Sequence, residues 1–377
     1  MRTSLAFLFS IVLLNISAQK ASKAQASIYY EQQDYLKAKE YIDQAILNEK
    51  DKAKQSTWYL RGDIYNAIVT SRLGGKDLGV VNPEVEAFQA YKKALDFGEK
   101  SETRMNNTKR KMVMCKDIMM QEAVFFYNEG KFEESLYSIQ NSIDACHYLK
   151  SDSTLESYTA AMIANKLERD DLVEKYYEDC IDRKYELVNS AEMLSMHYSM
   201  KNDYTNAHRV LDKAIKKHRT PDFTLTSSKL NLYLSEGKYA ESLPYFETAL
   251  SLQPDNYILY FARGSVLEQL GKPAQAEADY LKSLELKPDN FDANYNLGAL
   301  YFNRGVEFNS NAPEDFTSEE YEKMILKRDA EFKKALGYFE KAQSIEPDDR
   351  GVLMALKNLY GQLNMMDEYM GVKKKLE

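Results

Sequence analysis

The segment AEADYLKS, residues 276–283, contains a pattern that recurs along the whole chain. A small residue, Ala276, is followed at spacings of four and three by a large one, Tyr280, and a second small one, Ser283. Residues so spaced lie on one face of an α-helix. Small side chains let another helix approach closely, and the large side chain fills the space between the two. The pattern therefore predicts pairs of closely packed helices.

The triplet of small, large and small residues occurs eight times, and its last members are 49, 48, 38, 34, 35, 34 and 59 residues apart. The basic period is therefore close to 34 residues, with extra residues in three intervals. About twelve residues upstream lies a second helical signature, such as Gly264 with Leu267 or Gly298 with Tyr301. The repeating unit is a helical hairpin. Its triplets are Ala38-Ile42-Ala45, Ala87-Tyr91-Ala94, Ser135-Ile139-Ser142, Val173-Tyr177-Cys180, Ala207-Leu211-Ala214, Ser242-Phe246-Ala249, Ala276-Tyr280-Ser283 and Ala335-Phe339-Ala342.

Two stretches carry a more specific signature, WYLRGDIY at residues 58–65 and NYNLGALY at residues 294–301. Closing prolines follow at Pro254, Pro288 and Pro347. In these motifs the chain resembles the tetratricopeptide repeat family, in particular its exported bacterial members of the Bacteroidetes type. Arg61 stands where that family usually has leucine. The resemblance implies an all-α, right-handed superhelical solenoid whose first helices line a concave face.

The resemblance also implies an organisation of the chain. About eight repeats occupy residues 19–349, and capping helices occupy residues 350–377. Insertions interrupt the array near residues 72–84, 99–115 and 306–330. In the last insertion a capping box predicts a long second helix that begins at Ser318. We expect its apolar stripe to pack on the extended first helix of the same repeat.

Residues 1–18 have the pattern of a cleavable export signal. Arg2 precedes an apolar run of 12 residues, Leu5 to Ile16, and small residues follow at Ser17 and Ala18. A run of 12 is too short to span a bilayer, which takes about 20 residues. The first cysteine is Cys115, so a lipid anchor has no acceptor. We expect an exported protein, periplasmic or envelope-associated and not lipid-anchored, with no integral membrane segment after cleavage.

Composition and motifs exclude several classes of function. The 377 residues include 50 basic and 58 acidic ones, a net charge of −8 without a basic block, which disfavours nucleic acid as a partner. No CxxC, HExxH, phosphate loop or nucleophile elbow occurs in the sequence. The sequence therefore predicts no metal, no cofactor and no enzymatic activity.

The side chains expected on the concave face are aromatic and rich in methionine, which suits a binding surface. We predict a non-enzymatic scaffold or adaptor of the bacterial cell envelope that binds a protein or peptide partner there. The alternative is an accessory module that binds envelope glycans, because tyrosines also stack on sugars. Tyr295 and Phe302 are expected to flank one pocket. The predicted contact residues are Tyr59, Tyr127, Tyr158, Met162, Met193, Met196, Phe261, Tyr295, Asn296 and Phe302.

The cysteines lie on predicted helices. Cys115 and Cys146 lie at adjacent ends of the two helices of the third repeat. A disulfide that closes this hairpin and two separate buried thiols are both compatible with that placement. Cys180 occupies the small-residue position of its triplet and is predicted to be an inert buried thiol.

Overall fold

A computed structural model describes residues 22–377, and within that range the chain is helical, with no strand. The all-α fold predicted from the triplets is therefore confirmed. The helices are α1 (22–31), α2 (Tyr35–Ala45), α3 (Glu49–Lys52), α4 (Gln55–Leu73), α5 (Pro83–Asp96), α6 (Glu102–Asn128), α7 (Phe132–Leu149), α8 (Thr154–Lys166), α9 (Asp170–Arg183), α10 (Leu187–Met200), α11 (Tyr204–His218), α12 (Phe223–Ser235), α13 (Tyr239–Leu252), α14 (Tyr257–Gln269), α15 (Pro273–Leu286), α16 (Phe291–Ser310), α17 (Glu319–Ile345), α18 (Arg350–Gln362) and α19 (Met366–Leu376).

The chain forms two compact units, and the boundary between Leu194 and Ser195 falls inside α10. In the first unit, α4 packs on α5, α6 on α7 and α8 on α9. In the second unit, α12 packs on α13, α14 on α15, α16 on α17 and α18 on α19. Each unit is thus a series of stacked helical hairpins, as the resemblance to tetratricopeptide repeats implied.

The triplets form the core of the hairpins. All three residues of every triplet are at most 2% exposed. The glycine of the first helix faces the ring of the triplet, because a Cβ on Gly62 would lie 2.5 Å from the ring of Tyr91. A Cβ on Gly298 would likewise lie 2.9 Å from the ring of Phe339. Only glycine allows the two helices to approach this closely at these positions.

Two of the insertions become parts of long helices. Residues 99–115 do not form a separate segment, because α6 runs unbroken for 27 residues from Glu102, with the Ser101 hydroxyl accepting from the Arg104 amide. No proline or glycine interrupts this stretch. In the eighth repeat α17 also has 27 residues, and the Ser318 side chain caps it as the capping box predicted. Phe332 of α17 stacks on Phe302 of α16 at 5.4 Å between ring centroids, so the long second helix packs on its own first helix.

The three cysteines are buried and carry free thiols. The hairpin α6–α7 is therefore not closed by a disulfide, and the alternative of separate buried thiols is the one observed. Burial raises the pKa of Cys115 and Cys180 to about 12, which suits inert core residues. None of the helices within residues 22–377 has the length and apolar character needed to cross a bilayer. The predicted export signal at residues 1–18 lies outside the described residues.

Candidate functional site

An open cleft of ≈ 620 Å³ lies between α4 and α6, the first helices of the second and third repeats. One wall carries Tyr59, a predicted contact residue, and the other wall is the beginning of α6, which includes the basic insertion at residues 99–115. The cleft is therefore the candidate site. Its lining residues are Ser56, Tyr59, Leu60, Asp63, Ser101, Thr103, Arg104, Asn107, Thr108 and Lys111.

Tyr59 is held in the cleft by its hydroxyl group. The hydroxyl donates to Glu99 Oε2 at 2.7 Å, and the Arg104 guanidinium lies 5.7 Å from the ring centroid. Burial and the hydrogen bond to Glu99 raise the pKa of Tyr59 to about 12, so the side chain stays neutral at physiological pH. The ring presents a fixed aromatic surface with a cation beside it.

A second polar contact closes the deeper side of the cleft. Lys111 Nζ lies 2.6 Å from Asp63 Oδ1, which also accepts from the Tyr91 hydroxyl at 2.8 Å. Tyr91 is the large residue of the second triplet, so the core fixes the position of this carboxylate. Lys23 adds a further cation nearby, with its Nζ 2.6 Å from Ser56 Oγ.

The sequence interpretation did not identify the α6 wall as part of a binding site. Arg104, Asn107, Thr108 and Lys111 have helical spacings of three, one and three, which place them on one face. The basic character of the insertion was visible in the sequence. Which face it presents to α4 became visible only in the structure, since Met112 and Cys115 of the same helix turn into the core.

The other predicted aromatic contacts are engaged mainly with neighbouring helices. Rings of the predicted set pack against partner rings in or beside their own hairpins: Tyr127 on Phe132 at 5.5 Å, Tyr158 on Tyr177 at 6.0 Å, Phe261 on Tyr280 at 5.9 Å, Tyr295 on Phe339 at 5.6 Å and Phe302 on Phe332 at 5.4 Å. Asn296 donates to the Tyr280 hydroxyl at 3.4 Å. Tyr295 and Phe302, expected to flank one pocket, both pack on α17. Their role in binding stays a prediction.

The predicted methionines are more accessible. Met162 on α8 is 38% exposed and Met196 on α10 is 48% exposed, whereas Met193 is half-buried. Flexible exposed thioethers adapt to varied partner surfaces. These two side chains therefore remain available for contact.

The described residues offer no arrangement for metal chemistry. Within residues 22–377 no three His, Cys, Asp or Glu side chains are grouped so that they could hold a metal ion. The cleft instead presents hydroxyl groups, an amide, an aromatic ring and ion-paired cations. Such an arrangement can hydrogen-bond and stack on a bound chain.

Two family models described as tetratricopeptide repeat match residues 228–291 and 279–308. Among curated proteins, the chain is 33% identical over 85 residues to protein O-mannosyl-transferase TMTC3 of Mus musculus, covering 20% of this chain and 9% of that protein. It is 35% identical over 78 residues to the Hsp70-Hsp90 organizing protein of Triticum aestivum, covering 21% and 13%. The chain thus spans only a small part of the curated relatives it matches.

Solved structures of similar proteins are also helical repeats by their titles. The C-terminal part of a TPR repeat-containing protein from Cytophaga hutchinsonii aligns over 78% of this chain and 99% of its own, at 16% identity and a TM-score of 0.48. YrrB, described as a TPR protein with an unusual peptide-binding site, aligns over 53% of this chain and 90% of its own, at 18% identity and a TM-score of 0.40.

Proposed function

Since the chain is built of tetratricopeptide-type hairpins, we propose that it is a non-enzymatic scaffold that binds a protein or peptide partner in the cleft between α4 and α6. The observation that carries this proposal is the cleft itself, an open space of ≈ 620 Å³ lined by side chains that donate and accept hydrogen bonds. Peptide groups need such partners when they leave water.

The chemistry of the walls favours an extended peptide over a small molecule. Asn107 and Thr108 on α6 face Ser56 and Tyr59 on α4, so both walls offer polar groups to a chain lying between them. Amide side chains both donate and accept, which suits main-chain peptide groups. Tyr59 supplies a flat ring for an apolar side chain. The match of residues 228–308 to tetratricopeptide repeat models supports an interaction role as well.

We place this scaffold in the envelope of a bacterium. Support comes from the sequence of residues 1–18, with Arg2, the apolar run and the small residues Ser17 and Ala18. Mass spectrometry of the purified native protein tests it. An N-terminus at Gln19 agrees with export, and an intact Met1 or Arg2 in a cytosolic fraction contradicts it.

Site-specific photo-crosslinking tests the binding proposal. A photoreactive residue is placed at Thr103 or Asn107 in the cleft, and at Lys166, an exposed residue of α8, as the matched control. We expect a defined protein partner to be crosslinked from the two cleft positions and not from position 166. Equal crosslinking from all three positions, or retention on polysaccharide columns with no protein crosslinked, would contradict the proposal.

A further inference from the structure

The hairpin α16–α17 ends in an exposed apolar and acidic tip, residues 307–322, which the repeat stack does not use. Phe316 is 71% exposed and packs only edge-on against Tyr321, with 5.1 Å between ring centroids. Leu326, one turn further along α17, is 70% exposed. Large apolar side chains this exposed, close together on a protruding element, are typical of an interaction surface.

The charges around these two side chains have one sign. Residues 307–322 contain six acidic side chains and no basic one. All six are exposed: Glu307, Glu314, Asp315, Glu319, Glu320 and Glu322. The basic residues that follow are already engaged, Lys323 with Glu319 at 2.6 Å and Arg328 with Asp329 at 2.7 Å. The tip therefore presents a hydrophobic surface surrounded by negative charge.

The first unit carries a surface of opposite character on the beginning of α6. Residues 100–116 contain six basic side chains and one acidic one, in a chain whose net charge is −8. Asn106, Lys109, Arg110 and Val113 line a shallow depression of ≈ 400 Å³. Lys109 and Arg110 are exposed and form no ion pair within the described residues, and Val113 is 43% exposed. We call these four residues the basic face of α6.

The basic face of α6 is distinct from the proposed peptide cleft. Arg104, Asn107 and Lys111 line the cleft, whereas Asn106, Lys109 and Arg110 line the other depression. At 100° per residue these two sets point to different sides of one helix. The two surfaces can therefore be occupied independently.

We propose that the acidic tip of one copy docks on the basic face of α6 in a second copy. Charge complementarity identifies the occupant: each surface has an excess of the charge that the other lacks, and both have exposed apolar side chains at their centre. Because the two surfaces differ, the contact is heterologous, and its repetition builds a ring or an open chain of copies.

Sedimentation velocity of the full chain at several protein concentrations tests this self-association. At low ionic strength we expect the weight-average mass to rise with concentration to at least about twice that of one chain. High salt should return it to the mass of one chain, because exposed charges are then screened. Wild-type protein that stays monomeric at low salt over the whole concentration range overturns the proposal.

Charge reversal identifies the surfaces. Lys109→Glu with Arg110→Glu, and separately Glu319→Lys with Glu320→Lys, should each keep the protein monomeric, while a mixture of these two variants should associate with each other again. Lys166→Glu with Lys184→Glu makes the same change in net charge at exposed residues of the first unit and should leave association intact. If the mixture does not associate, or if the control is equally monomeric, the proposal is wrong. It is also overturned if the chain stays monomeric and Lys109 and Arg110 instead bind vesicles of anionic lipid.

Discussion

At the scale of single residues, the departures from the tetratricopeptide pattern are ionic links between successive hairpins. Arg61, where the family has leucine, binds Asp43 of α2 at 3.0 Å and Glu86 of α5 at 2.7 Å. Arg263 is the corresponding residue of α14 and binds Glu247 of α13 at 2.6 Å and Asp279 of α15 at 2.7 Å. Each arginine thus joins the second helix of its own hairpin to that of the preceding one.

Replacement of Arg263 by alanine should destabilise the second unit. It leaves the Asp279 carboxylate, whose side chain is 8% exposed, without its partner, and breaking a buried pair in this way costs about 3 kcal/mol. Urea unfolding measures the loss, and adding Asp279→Asn should restore part of it. Lys282→Ala removes an exposed pair with Glu285 and should change stability by less than about 0.5 kcal/mol. Equal effects of the two single changes would contradict this account.

Glu122 makes the stability of the first unit depend on pH. Its carboxylate shares Arg72 with Glu84, at 2.7 and 2.8 Å, and burial followed by the Glu84 charge raises the pKa of Glu122 to about 7. The unfolded value is about 4.3, so the folded state binds more protons between these values. Stability conferred by the protonated form is therefore lost as pH rises from about 4.3 to about 7.

The change Glu122→Gln should remove this loss. Urea unfolding at pH 5 and pH 8 should show a smaller decrease in stability for the Gln variant than for the wild type. Glu102→Gln, at an exposed position of the same helix, should leave the decrease unchanged. A decrease of equal size in all three proteins would rule out Glu122 as its source.

At the scale of the helical element, the eighth hairpin illustrates how glycine sets the distance between helices. A Cβ at Gly305 of α16 would lie 2.5 Å from the Phe332 ring of α17, whereas nothing lies within 4 Å of a Cβ at Gly337. The two glycines are inside the two helices of one hairpin, so they share their stability background. One is required by packing and the other only weakens its helix.

Alanine at these two positions should therefore have opposite effects. Gly305→Ala forces the two helices apart and should cost about 1–3 kcal/mol. Gly337→Ala should stabilise by about 0.5–1 kcal/mol, because alanine loses less conformational freedom in a helix. Thermal melting of both variants beside the wild type is the measurement. A stabilised Gly305 variant would mean that the helices are not in close contact there.

The hairpins could be predicted from sequence because their signal is local. A triplet such as Ala335-Phe339-Ala342 specifies its own helix face, and its burial follows from the spacing alone. The cleft could not be predicted in the same way. Its α6 wall depends on whether residues 99–115 continue into the following helix, and the residues themselves permit a separate segment. The exposure of Tyr295 and Phe302 was equally undetermined, since a first helix has apolar residues on more than one side.

At the scale of the whole molecule, stability is built from contacts between neighbours in the chain. The main helix contacts join elements one or two positions apart in chain order, from α2 with α4 to α18 with α19. In such an array the free energy is approximately a sum over repeats and their interfaces. A local change should therefore loosen its own hairpin and the adjoining ones, and leave distant hairpins as they are.

Hydrogen exchange followed by mass spectrometry tests this locality with the Gly305→Ala variant. The substitution separates α16 from α17, so amide exchange should become faster there and in the adjacent α15 and α18. Peptides from α4 to α7, in the first unit, should exchange at the wild-type rate because no interface they form is altered. Gly337→Ala should leave exchange in α16 unchanged or slower. Faster exchange throughout both units would mean that the chain unfolds as one cooperative body, and the additive description would then be wrong.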